Sequence, residues 1–331
     1  SQVRKLAQEF GGACVVLDRD RDMARLVLGR WTIDLAKQEG DDLTADLLRR
    51  DYRINAIALT LTTEPKLLDP SGGIADLRAQ RISAIHERNL LDDPLRLLRA
   101  LRLAAELSMT IDDATVEMIA RHRHHLPKVA PERIQAELLK LVQANNADQA
   151  ISLLNALQLI EPWSSAQPQR TLNTSVLTNE EQQVAVPLAR LTQLLSDQGV
   201  KDLKFSRKQI QRCLRLRSWW TRDQQQSAEA LNERERLKLH QELEADLPAF
   251  TLAWPMERQK EWLNRWRNRE DKLFHPSAPL DGRTLQAELG LPPGPRLGEL
   301  IDHLCLEQAF ARIRSQDDAI QCARAWMNKP L

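Results

Sequence analysis

The sequence predicts a mostly α-helical fold with a small α/β part at the N-terminus. Three observations carry this. Only 11 Gly and 16 Pro occur in 331 residues, below the usual combined share of roughly 12%. Hydrophobic residues make up 42% of the chain, enough for sizeable cores. Strand-like alternation is confined to about the first 85 residues, and Leu/Ala-rich helical periodicity follows from about residue 90. At roughly 100–200 residues per domain, the length allows two or three domains.

Taken in order, "SQVRKLAQEF" places Val3, Leu6, Ala7 and Phe10 on one helical face, and Gly11-Gly12 ends that helix. "ACVVLDRD" and "DMARLVLGRW" predict two strands around a polar turn, and "TIDLAK" predicts a third. "DDLTADLLRR" predicts a helix whose acidic first turn complements the macrodipole. "INAIALTLT" reads as strand or helix end, and "LLDPSGGIADL" as a turn opening a helix. "DDPLRLLRALRLAAEL" carries Pro94 near a helix start. "DDATVEMIARHRHHL", "APERIQAELLKLVQ" and "ADQAISLLNALQLI" repeat the helix–turn theme. Residues 163–182, rich in Ser, Thr, Gln and Asn, read as a linker, and helices resume through 183–270.

Charge and cysteine usage narrow the classes. With 47 basic and 46 acidic residues the net charge is +1, so any site for a polyanion is a local patch rather than a global field. Cys14, Cys213, Cys305 and Cys322 form no CxxC pair, which argues against a zinc ribbon or disulfide framework and fits a reduced, cytoplasmic setting. No apolar run approaches the roughly 20 residues of a membrane span. Composition carries no signal of oligomeric state.

Three clusters carry chemistry. In "LLDDPLRLLRALR", Asp93, Arg96, Arg99 and Arg102 recur every third residue. Residues i and i+3 are neighbours on a helix, although such a stripe winds by about 60° per step. Three arginines in an otherwise Leu/Ala helix invite an anion. An acid beside an arginine also reads base edges: the carboxylate accepts from an exocyclic amine, and the guanidinium donates to a ring nitrogen or carbonyl. Cytosine and adenine each offer an amine beside an acceptor nitrogen, so Asp93 with Arg96 would select C and A over G and U. Taken alone, a solvated helix with i, i+3 ion pairs is the plainer reading of the stripe. The second cluster is Arg49, Arg50 and Asp51, with Arg53 nearby. Paired arginines suit triphosphate oxygens, and surface Arg–Asp pairing is the plainer alternative. The third is Asp34, the one acid in "WTIDLAK", placed as a strand-borne carboxylate of the kind that holds magnesium in phosphoryl-transfer sites, or as an edge acid facing water.

Together these segments resemble the class II tRNA nucleotidyltransferases and bacterial poly(A) polymerases, a family of CCA-, CC- and A-adding enzymes. "DLLRRDYRINAIAL" is similar to the family's RRDFTxNA motif, and "LLDPSGGIADLRAQRI" to its DPxGGxxDL turn. "DDPLRLLRALRLAAEL" is similar to EDPxRxLRAxRFAxxL, and "APERIQAELLKL" to ERIxxEL. "PLDGRTLQAELGLPPGPRLGELIDHL" resembles the tail segment in which a GPxLG turn precedes a helix. The resemblance runs over nearly the whole chain and thins between about 160 and 240. It implies a partial nucleotidyltransferase head at 1–85, a helical base-recognition neck at 86–160, a helical body at 161–270 and a tRNA-binding helical tail at 271–331. It implies transfer of C or A from CTP or ATP to the 3′ end of a tRNA acceptor arm, with Mg2+ as cofactor. Arg50 would contact the nucleotide, Asp93 and Arg96 would read the base, and Arg99 and Arg102 would hold the triphosphate or neighbouring groups. Asp34 would be a catalytic, metal-binding carboxylate. Whether the product is CCA, CC, a single A or poly(A) stays open.

The chain departs from the family pattern in places. Glu39 stands where the family carries an Arg, Tyr52-Arg53 replaces Phe-Thr, and Asp92 replaces Glu. No GGxVRD strand–turn–helix followed by DxD is present. "GGACVVLDRDRD" imitates both, but no VRD follows its glycines and the gap to Asp18 and Asp20 is too short for a helix. It is more similar to the second family hairpin, which leaves those acids in a water-exposed turn. The first residue is Ser1 rather than Met, which fits an upstream segment of about 50–70 residues, near half a small domain. With the metal motif absent, a catalytically inert tRNA-binding protein is the alternative to an enzyme. "HRHHL" (His122, His124, His125) lacks an acid at ligand spacing and reads as a basic helix end.

A second surface concerns RNA. Residues 201–222 hold Lys201, Lys204, Arg207, Lys208, Arg212, Arg215, Arg217 and Arg222 against one acid, Asp202. Lys204, Lys208, Arg212 and Arg215 fall at i, i+4, i+8 and i+11, and Trp219-Trp220 follow. A basic helical face beside aromatics suits a phosphate track with stacking platforms; a solvated helix with buried tryptophans is the alternative. Arg296 in "GLPPGPRLG" would present a cation at a helix start, suited to a phosphate.

Overall fold

The N-terminal periodicity forms α1 (Gln2–Glu9) in the computed structural model, which describes residues 2–19 and 22–328. Gly11, at φ 65°, terminates it. Three antiparallel strands follow, β1 (Ala13–Asp18), β2 (Met23–Leu28) and β3 (Trp31–Leu35), ordered β1-β2-β3. Val3 and Ala7 of α1 bury against Ala24 and Leu26 of β2. Asp20, expected in the exposed β1–β2 turn, lies outside the described residues.

The chain divides into two compact units, residues 1–125 and 126–331. In the first, α2 (Leu43–Leu48) starts at Asp42, whose side chain accepts from the Ala45 N–H at 2.7 Å. The ambiguous "INAIALTLT" opens as a 3-10 turn at Arg53–Asn55. It continues as β4 (Ala58–Leu59), antiparallel to β5 (Leu67–Leu68). Asp69 accepts from the backbone N–H of Gly73 (2.6 Å) and Ile74 (2.9 Å), which starts α3 (Gly73–Arg78). A Cβ on Gly73 would lie 2.1 Å from the Arg53 carbonyl oxygen, so only glycine lets α3 approach the 3-10 turn this closely. Parallel strands β6 (Arg81–Ile82) and β7 (Thr110–Ile111) bracket α4 (Glu87–Asp92) and α5 (Leu95–Leu107). Helix α6 (Asp113–His122), capped by Asp112, ends the unit.

The second unit is helical: α7 (Pro131–Gln143), α8 (Ala147–Ala156), α9 (Asn179–Leu194), α10 (Asp197–Asp202), α11 (Arg207–Gln225), α12 (Glu233–Leu243), α13 (Leu247–Thr251), α14 (Met256–Arg267), α15 (Gly282–Leu289), α16 (Pro295–Ala309) and α17 (Gln316–Met327). Capping boxes at Thr178/Glu181, Asn232/Glu235 and Ser315/Asp318 start three of these helices. An aromatic core joins Phe250, Trp254, Trp262 and Phe274 to His240, whose ring lies 4.1 Å from Phe274 and 5.3 Å from Trp262. Leu285, Leu300, Leu304, Ala319 and Ala323 make a separate cluster in the last three helices.

Residues 164–178 are coil, but they do not behave as a linker. The Ser165 N–H donates to the Leu194 carbonyl (2.9 Å), the Arg170 N–H to Gln193 Oε1 (2.6 Å) and the Asn173 N–H to the Leu252 carbonyl (2.8 Å). Gln259 Nε2 donates to the Asn173 carbonyl at 3.1 Å. The polar composition supplies groups that bond to helices within one unit instead of to water. No helix among the described residues is long and apolar enough to cross a membrane, and none of Cys14, Cys213, Cys305 and Cys322 is in a disulfide.

Burial pushes the His240 imidazole from its usual 6.5 down to about 3, helped by the charges of Arg265 and Arg236. Between those values the unfolded chain carries a proton on His240 that the folded chain lacks. This contribution to stability is therefore full above pH 6.5 and is lost as pH falls, by about 1.4 kcal/mol per unit. Urea unfolding at a series of pH values should show this decline, and His240→Phe should flatten it.

Candidate functional site

The centre of the site is the turn after α2. Asp51 is 5% exposed. Its Oδ1 accepts from the Tyr52 N–H (2.8 Å) and from Asn55 Nδ2 (3.0 Å), and its Oδ2 pairs with Arg99 Nε on α5 (2.9 Å). The fully buried Tyr52 donates its hydroxyl to the Arg96 carbonyl at 2.5 Å. Burial first, and then the charge of Asp51, push its phenol well above the usual value, so it remains a neutral donor. The turn is thereby stitched to the start of α5.

Arg50 is exposed beside this turn. Its Nη1 donates to the Asn55 carbonyl at 3.0 Å, and its Nη2 lies 3.4 Å from Asp46. Arg49 pairs with Glu39 at 3.1 Å. Arg96 reaches the same turn: its Nη1 donates to the carbonyls of Arg49 (3.0 Å) and Asn89 (2.8 Å). Its Nε and Nη2, the edge suited to two-point donation, hold no hydrogen bond among the described residues.

Asp93 does not sit on the arginine helix. Pro94 separates α4 from α5, and Asp93 lies between them in extended backbone (φ −142°, ψ 95°). Its Oδ1 accepts from the Leu95 N–H at 3.3 Å and its carbonyl from the Arg96 N–H at 3.0 Å, so it bonds to the first turn of α5 from one residue before the N-cap, Pro94. The expected stripe starts in extended backbone before the helix rather than on it, and Asp93 and Arg96 still share one junction. The other two arginines differ from expectation. Arg99 is taken by Asp51. Arg102 is 8% exposed on the packed face of α5 and pairs with Glu106. Arg102 lies where α5 packs inward and a charge needs a partner, whereas the exposed Arg99 is drawn to the buried Asp51 carboxylate.

Asp34 faces Arg25 across the β2–β3 ladder in a two-point ion pair, at 2.6 and 2.9 Å. Those hydrogen bonds hold its carboxyl below the usual value. No group of three His, Cys, Asp or Glu residues that could hold a metal ion occurs among the described residues. With both its oxygens bonded to Arg25, Asp34 does not fit a magnesium site. His122 finds an acid that spacing could not show: its Nε2 lies 2.6 Å from Glu87, which also binds Arg121.

The predicted basic face is divided. Lys204 lies outside α11, at φ 58° after α10, because Ser206 caps α11. Arg212 is drawn onto the buried Asp246 at 2.6 Å. Lys208 and Arg215 remain exposed. Trp219 and Trp220 are core residues, donating to Glu242 (2.7 Å) and the Phe250 carbonyl (3.0 Å), so neither is a stacking platform. Arg296 is exposed in the first turn of α16, 5.9 Å over the Trp326 ring.

Comparison with known proteins fits this arrangement. The family profile described as the poly A polymerase head domain matches residues 13–83, and one described as a probable RNA and SrmB- binding site of polymerase A matches 108–166. A CC-adding tRNA nucleotidyltransferase of Synechocystis is 29% identical over 358 residues, covering 96% of this chain and 84% of that protein. Over most of its length the chain is therefore similar to tRNA nucleotidyltransferases, and two of its segments match poly(A) polymerase family profiles. An A-adding tRNA nucleotidyltransferase of Deinococcus radiodurans is 36% identical over 163 residues, covering 48% of this chain and 37% of that protein. A Thermotoga maritima CCA-adding enzyme, solved in complex with tRNA, shares the fold with a TM-score of 0.74 at 19% identity, covering 98% of this chain and 83% of that one. Within this family frame, sequence reasoning missed Asp51 as a buried hub and Asn89 as a bridge. The available signal for Asn89 was a polar residue directly before the apolar pair Leu90-Leu91.

Arg99→Ala would leave the Asp51 carboxylate buried without its cation. Because Arg99 is itself half-exposed, a loss of about 1–2 kcal/mol in unfolding free energy is expected, well below that of a fully buried pair. Urea denaturation measures it.

Proposed function

We propose that the protein is a tRNA 3′-end nucleotidyltransferase that adds C, A or both from CTP and ATP without copying a template. The observation that carries this is the hydrogen-bonded junction that brings Arg50, Asp93 and Arg96 to one place. Its relatives are CC-adding and A-adding tRNA nucleotidyltransferases. The reaction is nucleotidyl transfer: the tRNA 3′-hydroxyl attacks the α-phosphate, a P–O bond forms, and pyrophosphate leaves.

The residues of this chain supply base selection and charge. The Asp93 carboxylate accepts from the exocyclic amine of cytosine or adenine, and the Nε/Nη2 edge of Arg96 donates to the adjacent ring nitrogen or carbonyl. Uracil and guanine offer the reverse pattern and meet like against like. Arg50 provides the cation for the triphosphate. Lys204, Lys208, Arg215 and Arg296 provide exposed positive charge for the RNA backbone. Both matching family profiles are named for poly(A) polymerase, which keeps repeated A addition as a second reading.

The test is incubation with tRNA lacking its 3′ end and each labelled nucleoside triphosphate. Incorporation of C or A, and not U or G, is the expected result, and product length separates CCA-type addition from a poly(A) tail. Incorporation of all four bases, or of none, overturns the proposal. In nucleotide-binding calorimetry, Asp93→Ala should reduce the preference for CTP over UTP by roughly 5- to 100-fold.

A further inference from the structure

The last three carbonyls around the end of α2 are each met by a side chain from another element. Leu48, Arg49 and Arg50 sit where a helix leaves its C-terminal carbonyls without intrahelical partners. Asn89 on α4 donates both Nδ2 hydrogens, to the Leu48 carbonyl at 2.8 Å and the Arg50 carbonyl at 2.7 Å. Arg96 donates to the Arg49 carbonyl between them, and also to the carbonyl of Asn89 itself. Asn89 is 6% exposed. Both acceptors are carbonyls, so the amide nitrogen, not its oxygen, must face them.

We infer that Asn89 is a positioning residue for base selection, coupling the Arg50 turn to the Asp93–Arg96 reader. It rests on the proposed function. Asn89 lies four residues before Asp93, on the helix that ends at the reader, and is buried. By clamping the carbonyls on either side of Arg49, it sets the distance between the cation for the phosphates and the groups that read the base. It also holds Arg96 by Nη1, so that the Nε/Nη2 edge is presented in one orientation. Selection by paired hydrogen bonds needs such fixed geometry, because a base edge is read only when both contacts form together.

The chemistry of the clamp makes the inference testable. Asn89→Asp is isosteric but places a carboxylate oxygen against two carbonyl oxygens, whereas Asn89→Ser retains one donor. Binding of CTP and UTP to the full chain is measured by calorimetry, with thermal unfolding in parallel. The CTP-over-UTP preference should fall about tenfold in Asn89→Asp and by a smaller factor in Asn89→Ser. A folded variant with lowered melting temperature but an intact preference overturns the inference, because that is the signature of a merely structural residue. If Asn89→Asp fails to fold, the Asn89→Ser ratio decides alone: a reduced preference supports the inference and an unchanged one overturns it. A wild-type chain that does not distinguish CTP from UTP removes the base-reading proposal, and this inference with it.

Discussion

A carboxylate buried in a tight turn has few ways to be stable, and Asp51 uses most of them at once. Taking an ionised group out of water costs several kcal/mol unless charge and hydrogen bonds offset it. Asp51 meets this with a backbone N–H, the Asn55 amide and the Arg99 guanidinium. Those partners come from two elements, so the turn cannot relax without breaking the attachment of α5. The direction in which Arg50 leaves the turn, and the placement of the α4–α5 junction beside it, both follow from keeping this one charge satisfied.

Asp93, Arg96, Arg99 and Arg102 divide by what they face. Arg99 and Arg102 are taken by Asp51 and Glu106 and serve the fold. Arg96 is anchored by one nitrogen to two carbonyls and keeps its two-donor edge, while Asp93 bonds to the first turn of the helix that carries Arg96. Pre-organisation of this kind lowers the entropy lost on binding a nucleotide, since the side chains are already ordered. Pro94 is the device that makes it possible: it ends α4 before the reader and starts α5 after it, leaving Asp93 in extended backbone between the two.

Much of the fold was legible. The hairpin and third strand, the helix from Leu95, and the helices opened by "APER" and "ADQA" all follow local periodicity, because each buries one face over a few turns. Elements whose partners are distant were misread. The Ser/Gln/Asn-rich coil looked like a linker, since composition does not record whether a polar group bonds to water or to α9 and α14. The stripe from Lys204 to Arg215 counted helical positions through Ser206, where the helix starts, and could not register Asp246, which takes Arg212. For the tryptophans after it, neighbourhood left stacking platform and core both open, and the satisfied indole N–H groups place them in the core.

The amino-acid order by itself determined the helical character, the small N-terminal sheet, the break at Pro94 and the kinds of group available to read a base. It also carries the resemblance to the tRNA nucleotidyltransferases, through several motifs at compatible spacing. Only the tertiary structure decided which of those groups are free to act. Arg96, Arg99 and Arg102 are equivalent by spacing, yet one reaches a turn 47 residues away, one neutralises a buried acid and one packs inward. Availability of a charged side chain is set by the partner that folding brings within about 3 Å, and that partner is seldom near in sequence.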